Sequence, residues 1–425
     1  MRVIDVRYLI IGNSAAGVFA AETIRGLDPD GQIRMISNEN CLPYSRCLTS
    51  YYLGNEISEE MMYIRDKAFY SETGIDFQVG HVERVEPKSN SVLLDSGEIV
   101  TYDKLLIATG SSPFNPPLEG SDVEGIFELR TLEDAKAVAK FAPNVKSAVV
   151  MGAGLVGLKG AHGLHELGIN VTIVGSAPQV LRHSIDVESA GILTRLLEED
   201  GYRVLLNTKV AKVLSEEDAD GRMSVSGVLL NTGEQIPCQM IIRAVGVRPN
   251  VKLVRDSGIS VNYGIVVDEE MQTSVKDIYA AGDVAEAFNL LSDEKGVNAI
   301  WPSATEQGIV AGCNMAGVKR KYPGSLAVNS AVISGVGIIS AGVVNLQPGG
   351  GSVLRASEPE KNFYRKFVIK DGHLVGMIMV GDIEGAGILS GLIRKKAKVD
   401  INYLNQMLIH TIEYPRYLPV ERGGQ

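Results

Sequence analysis

The chain repeats part of itself. Residues 92–110 read VLLDSGEIVTYDKLLIATG and residues 228–246 read VLLNTGEQIPCQMIIRAVG, two 19-residue stretches at a constant offset of 136 with seven identical positions. A proline follows three residues after each, Pro113 and Pro249. Upstream of each copy an apolar strand runs into a glycine turn, YLIIGNSAAG at 8–17 and AVVMGAGLVG at 148–157. Gly12 and Gly152 are 140 residues apart, so one small indel separates the copies. Self-similarity on this scale means one supersecondary unit used twice, and it restricts the fold before any composition is considered.

Each copy reads the same way: a strand, a glycine turn, a helix and a second strand (Gln32–Ser37; Asn170–Val174). Hairpin strands with Ser-Gly or Thr-Gly turns follow, then a strand ending in Ala-x-Gly. Strands alternating with helices predict α/β architecture with parallel, doubly wound sheets. The stretches SSPFNPPLEGSD (111–122) and GVRPNVK (246–252) are rich in turn residues and read as crossings between domains. From about residue 325 the texture becomes Val/Ile/Gly strands, then FYRKFVIKDGHLVGMIMVG, in which Asp371-Gly372 predicts a hairpin. A helix over 383–396 completes a third, α+β domain, and the tail 411–425 reads as an extended arm.

Glycine makes up 46 of 425 residues, and the loops show what the excess is for. A glycine loop between strand and helix lets backbone approach a pyrophosphate, which the helix N-terminus then attracts. Gly152, Gly154 and Gly157 complete the G-x-G-x-x-G pattern, with Ala153, Leu155 and Val156 between them; the first loop carries Ser14 in place of its middle glycine, between Gly12 and Gly17. Serine is small and offers a hydroxyl. A carboxylate for a ribose is expected about 20 residues on, at the end of the second strand. In copy one Glu39 is the nearest; in copy two the strand ends at Val174-Gly175 with no acid, so NADH and NADPH both stay open. The strand DIYAA delivers Gly282-Asp283 to a turn, where a carboxylate can accept bonds from hydroxyls.

The net charge is −10 (41 Lys+Arg, 51 Asp+Glu), which excludes nucleic-acid backbone binding as the main task. Four cysteines without a C-x-x-C pair exclude a disulfide scaffold and give no sign of a zinc or iron–sulfur site. No signal peptide is read at the start, and 328–346, though long and weakly polar, suits buried strands better than a membrane span. A soluble, reducing, cytoplasmic setting is the default expectation.

GNSAAG, IATG, GAGLVG, AVGVRPN and IYAAGD occur in an order that resembles the FAD-dependent pyridine-nucleotide oxidoreductases, flavoproteins with two dinucleotide-binding domains. LPYSR (42–46), WPSATEQG (301–308) and RKFVIKDGHLVGMIMVGD resemble the branch of NADH:rubredoxin reductases, ferredoxin reductases and the FAD/NAD part of nitrite reductases. The resemblance implies two Rossmann-like domains of three-layer β/β/α type and a C-terminal α+β interface domain. It implies an FAD domain at 1–111 and 247–325, an NAD(P)H domain at 112–246, and an interface domain with an extended tail at 326–425, in a homodimer. Gly12, Ser14, Ala15 and Ala16 would hold the FAD pyrophosphate, Glu39 the adenosine ribose, and Val82 the adenine. Arg46 and Arg130 would lie near FAD phosphate or flavin, Thr109-Gly110 would close over FAD, and Gly282-Asp283 would meet the ribityl chain. Gly152, Gly154, Leu155, Val156, Gly157 and Gly246 would line the NAD(P)H site, with Glu306 near the junction of flavin and nicotinamide. Trp301 would either stack near the flavin or fill core.

Two residues depart from that pattern. Lys159 stands where the family often has glutamate, two residues after the third glycine of the NAD(P)H loop. Cys47 stands where the ferredoxin-reductase branch tends to have proline, and PYSRCLTSYYLGN also aligns with the single-cysteine motif of NADH oxidases and coenzyme A-disulfide reductases. Cys47 follows Arg46 and opens a short helix ended by Gly54, an arrangement expected to lower a thiol pKa; otherwise it is a small apolar filler. Cys41 lies six residues away, while Cys238 and Cys313 read as core. His162 and His165 have metal-like spacing without a third ligand and read as packing or surface. Arg394, Lys395, Lys396 and Lys398 close a helix, as a solvated run or as a docking patch for an acidic carrier. The resemblance implies an NAD(P)H oxidoreductase passing electrons through FAD to a small iron–sulfur carrier or partner subunit, with no role for nucleic acid or membrane. The alternatives are a Cys47-dependent reductase of coenzyme A disulfide, peroxide or oxygen, and a redox-sensing flavoprotein without fast turnover.

Overall fold

A computed structural model describes residues 6–217, 221–292, 294–346 and 349–409; the expected tail over 411–425 lies outside them. The elements that position the site are, in chain order, β1 (Arg7–Ile11), α1 (Ala15–Leu27), β2 (Gln32–Ser37), α2 (Thr49–Leu53), β3 (Ile75–Val79), β4 (Lys104–Ile107), β5 (Ile126–Glu128), β6 (Ser147–Met151), α3 (Leu155–Glu166), β7 (Asn170–Val174), α4 (Val187–Glu199), β8 (Arg203–Leu205), β9 (Met240–Arg243), β10 (Ile278–Ala280) and α5 (Trp301–Met315).

The repeat becomes two parallel five-stranded sheets, β10-β4-β1-β2-β3 and β8-β7-β6-β9-β5. Four strands of each come from the repeated unit. The fifth lies beside the last of them and comes from outside it, from downstream in the first sheet (β10) and from upstream in the second (β5). Strands buried on both faces must be apolar throughout, and Leu9, Ile10, Val149 and Val150 are almost wholly buried. One face of each sheet takes helices. A three-stranded antiparallel meander belongs to each unit, 82–101 in the first and 210–237 in the second. Val213, Val225, Val228 and Ile236 of the second meander share a core with Val149 and Ile241 of its sheet. This is the three-layer β/β/α arrangement that the family resemblance implies; it departs from the doubly wound sheet expected from strand–helix alternation, because a meander shares the core of the sheet on one side.

The chain crosses between the two nucleotide-type units twice, and the crossings pair with each other. Ser111–Pro113 runs antiparallel to Val247–Pro249. Asn250 fixes them: its amide donates to Thr109 O at 2.9 Å while Ser112 Oγ donates to its Oδ1 at 2.8 Å.

Residues 327–409 form a separate compact unit with 181–196. Its antiparallel sheet runs in the order β11 (Val328–Ile333), β12 (Val336–Gly342), β15 (His373–Val380), β14 (Phe363–Lys370), β13 (Ser352–Glu358). Asp371-Gly372 turns the β14–β15 hairpin, with Asp371 at φ 52° and Gly372 at φ 77°. The helices α6 (Ala386–Arg394) and α7 (Ile401–Ile409) follow. The inclusion of 181–196 differs from the sequence boundaries, which place this segment in 112–246. A buried polar anchor accompanies it: Asp186 accepts from Tyr364 Oη at 2.5 Å and Lys366 Nζ at 2.9 Å; at the surface Glu188 also accepts from Arg355 at 2.8 Å. Among the described residues no helix is long and apolar enough to cross a membrane; 328–342 forms strands.

Candidate functional site: two glycine cradles and a polar junction

The two glycine turns have the same backbone. Gly12 and Gly152 both sit at φ 121°. A side-chain carbon on either would lie 2.2 Å from a carbonyl oxygen, that of Ala108 or of Ala244. Those alanines are the same position of the repeat, so the Ala-x-Gly strand end shared by the two copies and the glycine turn are two halves of one contact. The amides of Gly12 and Gly152 each donate at 2.8 Å to the second strand, at Ile36 O and Val174 O. Helix then leaves the turn directly: Ser14 caps α1 and Gly154 caps α3, and neither helix carries a side-chain hydrogen bond at its cap. The first-turn amides are therefore not taken up by their own cap residue, the arrangement that receives a phosphate. A carbon added to Gly154 meets nothing within 4 Å. Ala15 and Ala16 are buried, whereas Val156 is exposed and Leu155 half-buried.

The first cradle is floored by α5. Gly308 approaches α1 so closely that a side-chain carbon would lie 2.3 Å from Ala16 O. Gln307, nearly wholly buried, accepts the Gly282 amide at 2.8 Å and so fixes the turn that presents Asp283. Trp301 opens α5 half-buried against the same core, and Glu306 lies half-buried two residues before its middle.

Two polar groups stand beside this cradle. Asp283 Oδ2 accepts from Arg130 Nη2 at 2.7 Å and from Ser111 Oγ at 2.9 Å. Arg130 also donates to Ser111 O at 3.2 Å, so the arginine ties the Gly-Asp turn to the interdomain crossing. The second group centres on Tyr44, whose hydroxyl donates to Glu39 Oε2 at 2.6 Å and accepts from Arg46 at 3.0 Å and the Leu132 amide at 3.0 Å. Arg46 forms an ion pair with Glu39 Oε1. Burial, together with the Glu39 carboxylate and against the opposing charge of Arg46, raises the Tyr44 phenol above its usual value. Val82 begins a meander strand, buried opposite Leu94. Thr109 Oγ1 donates to Asn250 O at 3.0 Å, Gly110 O accepts the Asn250 amide at 3.0 Å, and Gly246 O accepts the Phe114 amide at 2.8 Å. Sequence reading singled out neither Tyr44 as a hub nor Ser111, Asn250 and Gln307. All four fall within stretches quoted from the sequence, but the partners that give them their roles lie far away in the chain, Leu132 for Tyr44, Asp283 for Ser111, Thr109 for Asn250 and Gly282 for Gln307.

Cys47 lies within a short 3-10 turn (Arg46–Leu48) that continues into α2, whose end is Gly54, as read from the sequence. The residue as a whole is exposed. The expected lowering of its pKa is corrected: desolvation by the surrounding walls raises it and outweighs the help of a Ser45 hydrogen bond and the charge of Arg130, which Asp283 opposes. Cys41 is raised further, to about 11, by burial and then by Glu39. Cys238 and Cys313 are buried. Of the two histidines, His162 lies 2.9 Å from Glu56 Oε1, and His165 rests on Tyr202 with ring centroids 4.6 Å apart.

The chain is similar to known proteins over nearly its whole length. Residues 6–308 match the pyridine nucleotide-disulphide oxidoreductase family, and residues 328–397 match the rubredoxin NAD+ reductase C-terminal domain. An NADH oxidase of Methanocaldococcus jannaschii is 36% identical over 352 residues, which is 80% of this chain and 76% of that one. The epsilon subunit of the NADH-dependent phenylglyoxylate dehydrogenase of Aromatoleum evansii is 31% identical over 393 residues, 92% of each chain. The solved NADH:rubredoxin oxidoreductase of Clostridium acetobutylicum superposes with a TM-score of 0.77 at 26% identity, over 95% of this chain and 100% of that one. With its two glycine cradles and this C-terminal domain, the chain belongs to the pyridine nucleotide-disulphide oxidoreductase family and is an FAD-dependent NAD(P)H oxidoreductase.

Proposed function

We propose that the chain takes electrons from NAD(P)H at the second cradle and passes them to a small iron–sulfur carrier or partner subunit. On this reading 1–111 and 247–325 form the FAD domain, 112–246 the NAD(P)H domain, and 326–425 an interface domain of a cytoplasmic homodimer. The observation that carries it is the pair of matched cradles joined to a rubredoxin-reductase-type C-terminal domain. The first cradle fits FAD: its helix cap is free of side-chain bonds, and at Gly110 an added carbon would meet only Arg130, at 3.9 Å. Once bound, FAD supplies the conversion between a two-electron donor and a one-electron acceptor.

The residues of the chain bind and orient. Gly12, Ser14, Ala15 and Ala16 receive the pyrophosphate, Glu39 and Val82 the adenosine end, and Asp283 the ribityl hydroxyls. Arg46 and Arg130 add positive charge to the phosphate-bearing side. Gly152 to Gly157 and Gly246 hold NAD(P)H, and Glu306 and Trp301 border the junction. The work of these groups is alignment, which alone can account for a large share of the rate in a bound pair of reactants.

The Cys47 thiol, raised by burial, favours carrier reduction over disulfide chemistry, because the thiolate is the nucleophile. The exposure of the residue to solvent is the observation that supports the second reading, a reductase of coenzyme A disulfide, peroxide or oxygen. Cys47→Ser decides between them. Steady-state reduction of rubredoxin by NADH should stay within about twofold of the parent, while coenzyme A disulfide is not turned over. Loss of rubredoxin reduction with FAD still bound would overturn the first reading.

A further inference from the structure

Helix α3 leaves the second glycine loop and lies directly against α2. A side-chain carbon on Gly163 would lie 2.7 Å from Ser50 O, and one on Gly54 3.1 Å from Glu166 Cβ. Across this seam Lys159 Nζ donates to the Tyr51 hydroxyl at 2.6 Å and stands 4.3 Å from the centre of its ring. One turn further on, His162 meets the Tyr51 ring edge-on at 6.2 Å and reaches Glu56 at 2.9 Å. Lys159 is two residues from Gly157 in the loop, and Tyr51 is four residues from Cys47. Thr49 Oγ1 donates to Arg46 O at 3.0 Å, which ties the start of α2 to the Cys47 turn.

We propose that Lys159 is a positioning residue: through Tyr51 it couples occupation of the second glycine loop to the placement and reactivity of Cys47. A nucleotide seated on the first turn of α3 acts on one continuous twelve-residue helix. The ammonium is half-buried, and its hydrogen bond and its contact with the ring join the two helices at this point. A shift of α3 is thereby passed to α2 and to the thiol it carries. Coupling of this kind requires a physical link that both sites bias, and Lys159–Tyr51 is such a link. The inference rests on the second loop being the NAD(P)H site.

The test is the rate at which iodoacetamide alkylates Cys47 in the oxidised holoenzyme, read by peptide mass spectrometry, with and without saturating NAD+. NAD+ should change the parental rate about fivefold or more, the lower end of ordinary coupling. In Lys159→Met the change should fall below about twofold while NAD+ affinity stays within about threefold; Lys159→Arg should restore it. Tyr51→Phe keeps the ring and removes the hydroxyl, and should also weaken the effect, which covers the case of a Lys159→Met protein that fails to retain FAD. An undiminished NAD+ effect in variants that still bind NAD+ overturns the coupling, since direct shielding by the nucleotide then accounts for it. A parent holoenzyme that binds no NAD+ overturns both the coupling and the assignment of the second loop.

Discussion

At the scale of single residues, the two cradles make a separable pair of predictions. Alanine at Gly12 or Gly152 would put a carbon 2.2 Å from a carbonyl oxygen at a φ of 121°, where side chains are strained. The strain alone is about 1–3 kcal/mol, and relieving the overlap must move the turn away from the ligand. Gly12→Ala should therefore be isolated with less than about a tenth of the parental flavin absorbance per chain, about 1.4 kcal/mol or more of lost binding. Gly152→Ala should stay yellow but lose reduction by NAD(P)H in stopped-flow mixing by about tenfold or more. If both variants lose colour equally, the loops do not serve separate nucleotides. These glycines are legible in the sequence because a local backbone demand fixes residue type and spacing together. Arg130 and Asp283 are not legible as partners in the same way. Their 2.7 Å contact joins positions 153 residues apart, and nothing in the local sequence of either announces it.

Among the elements, α4 carries the instructive case. Strand and helix order in the repeat places it after β7 as an ordinary layer helix, yet 181–196 belongs to the unit formed by 327–409. Periodicity reports that a helix has an apolar face; it does not report which sheet will cover it. The anchor is Asp186 at the start of the helix. Burial by itself would raise its carboxyl, but hydrogen bonds from Ser189, Tyr364 and Lys366 outweigh burial and hold it below the ordinary carboxylate value. A carboxyl depressed in the folded state contributes stability that is present above its unfolded value of about 3.9 and is lost as the pH falls through the folded value. Asp186→Asn should remove that dependence, so that its urea-unfolding free energy changes less than the parent's below about pH 4. At neutral pH the variant should lose on the order of 3–5 kcal/mol, because Lys366, 9% exposed, loses the carboxylate that accepts from it. Parallel acid limbs for parent and variant would show that Asp186 is not the group whose protonation loosens the helix.

For the whole molecule, the same helix makes the C-terminal unit more than an appendage. The repeat and its crossings suggest a self-sufficient pair of nucleotide-binding domains ending near residue 325, and the two parallel sheets are complete without anything downstream. The segment 181–196, however, lies inside the second of those units in sequence and packs with the sheet β11–β15 in space. Ala190, Ile192 and Leu193 on it are at most 3% exposed. A chain stopped at Leu326 would keep both cradles but strip Asp186 of Tyr364 and Lys366, and Glu188 of Arg355. It would also remove the partner unit with which this buried helix clusters, leaving apolar surface that water must meet. The truncated protein should therefore bind a hydrophobic dye such as ANS several-fold more strongly than the parent and elute as mixed oligomers. Its NAD+ affinity should fall as well, because α4 connects β7 to β8 within the sheet that carries the second loop. Monomeric, dye-silent protein with parental NAD+ affinity would mean that the helix finds its cover within residues 1–326. The assembly would then be modular in the way the sequence boundaries alone suggest.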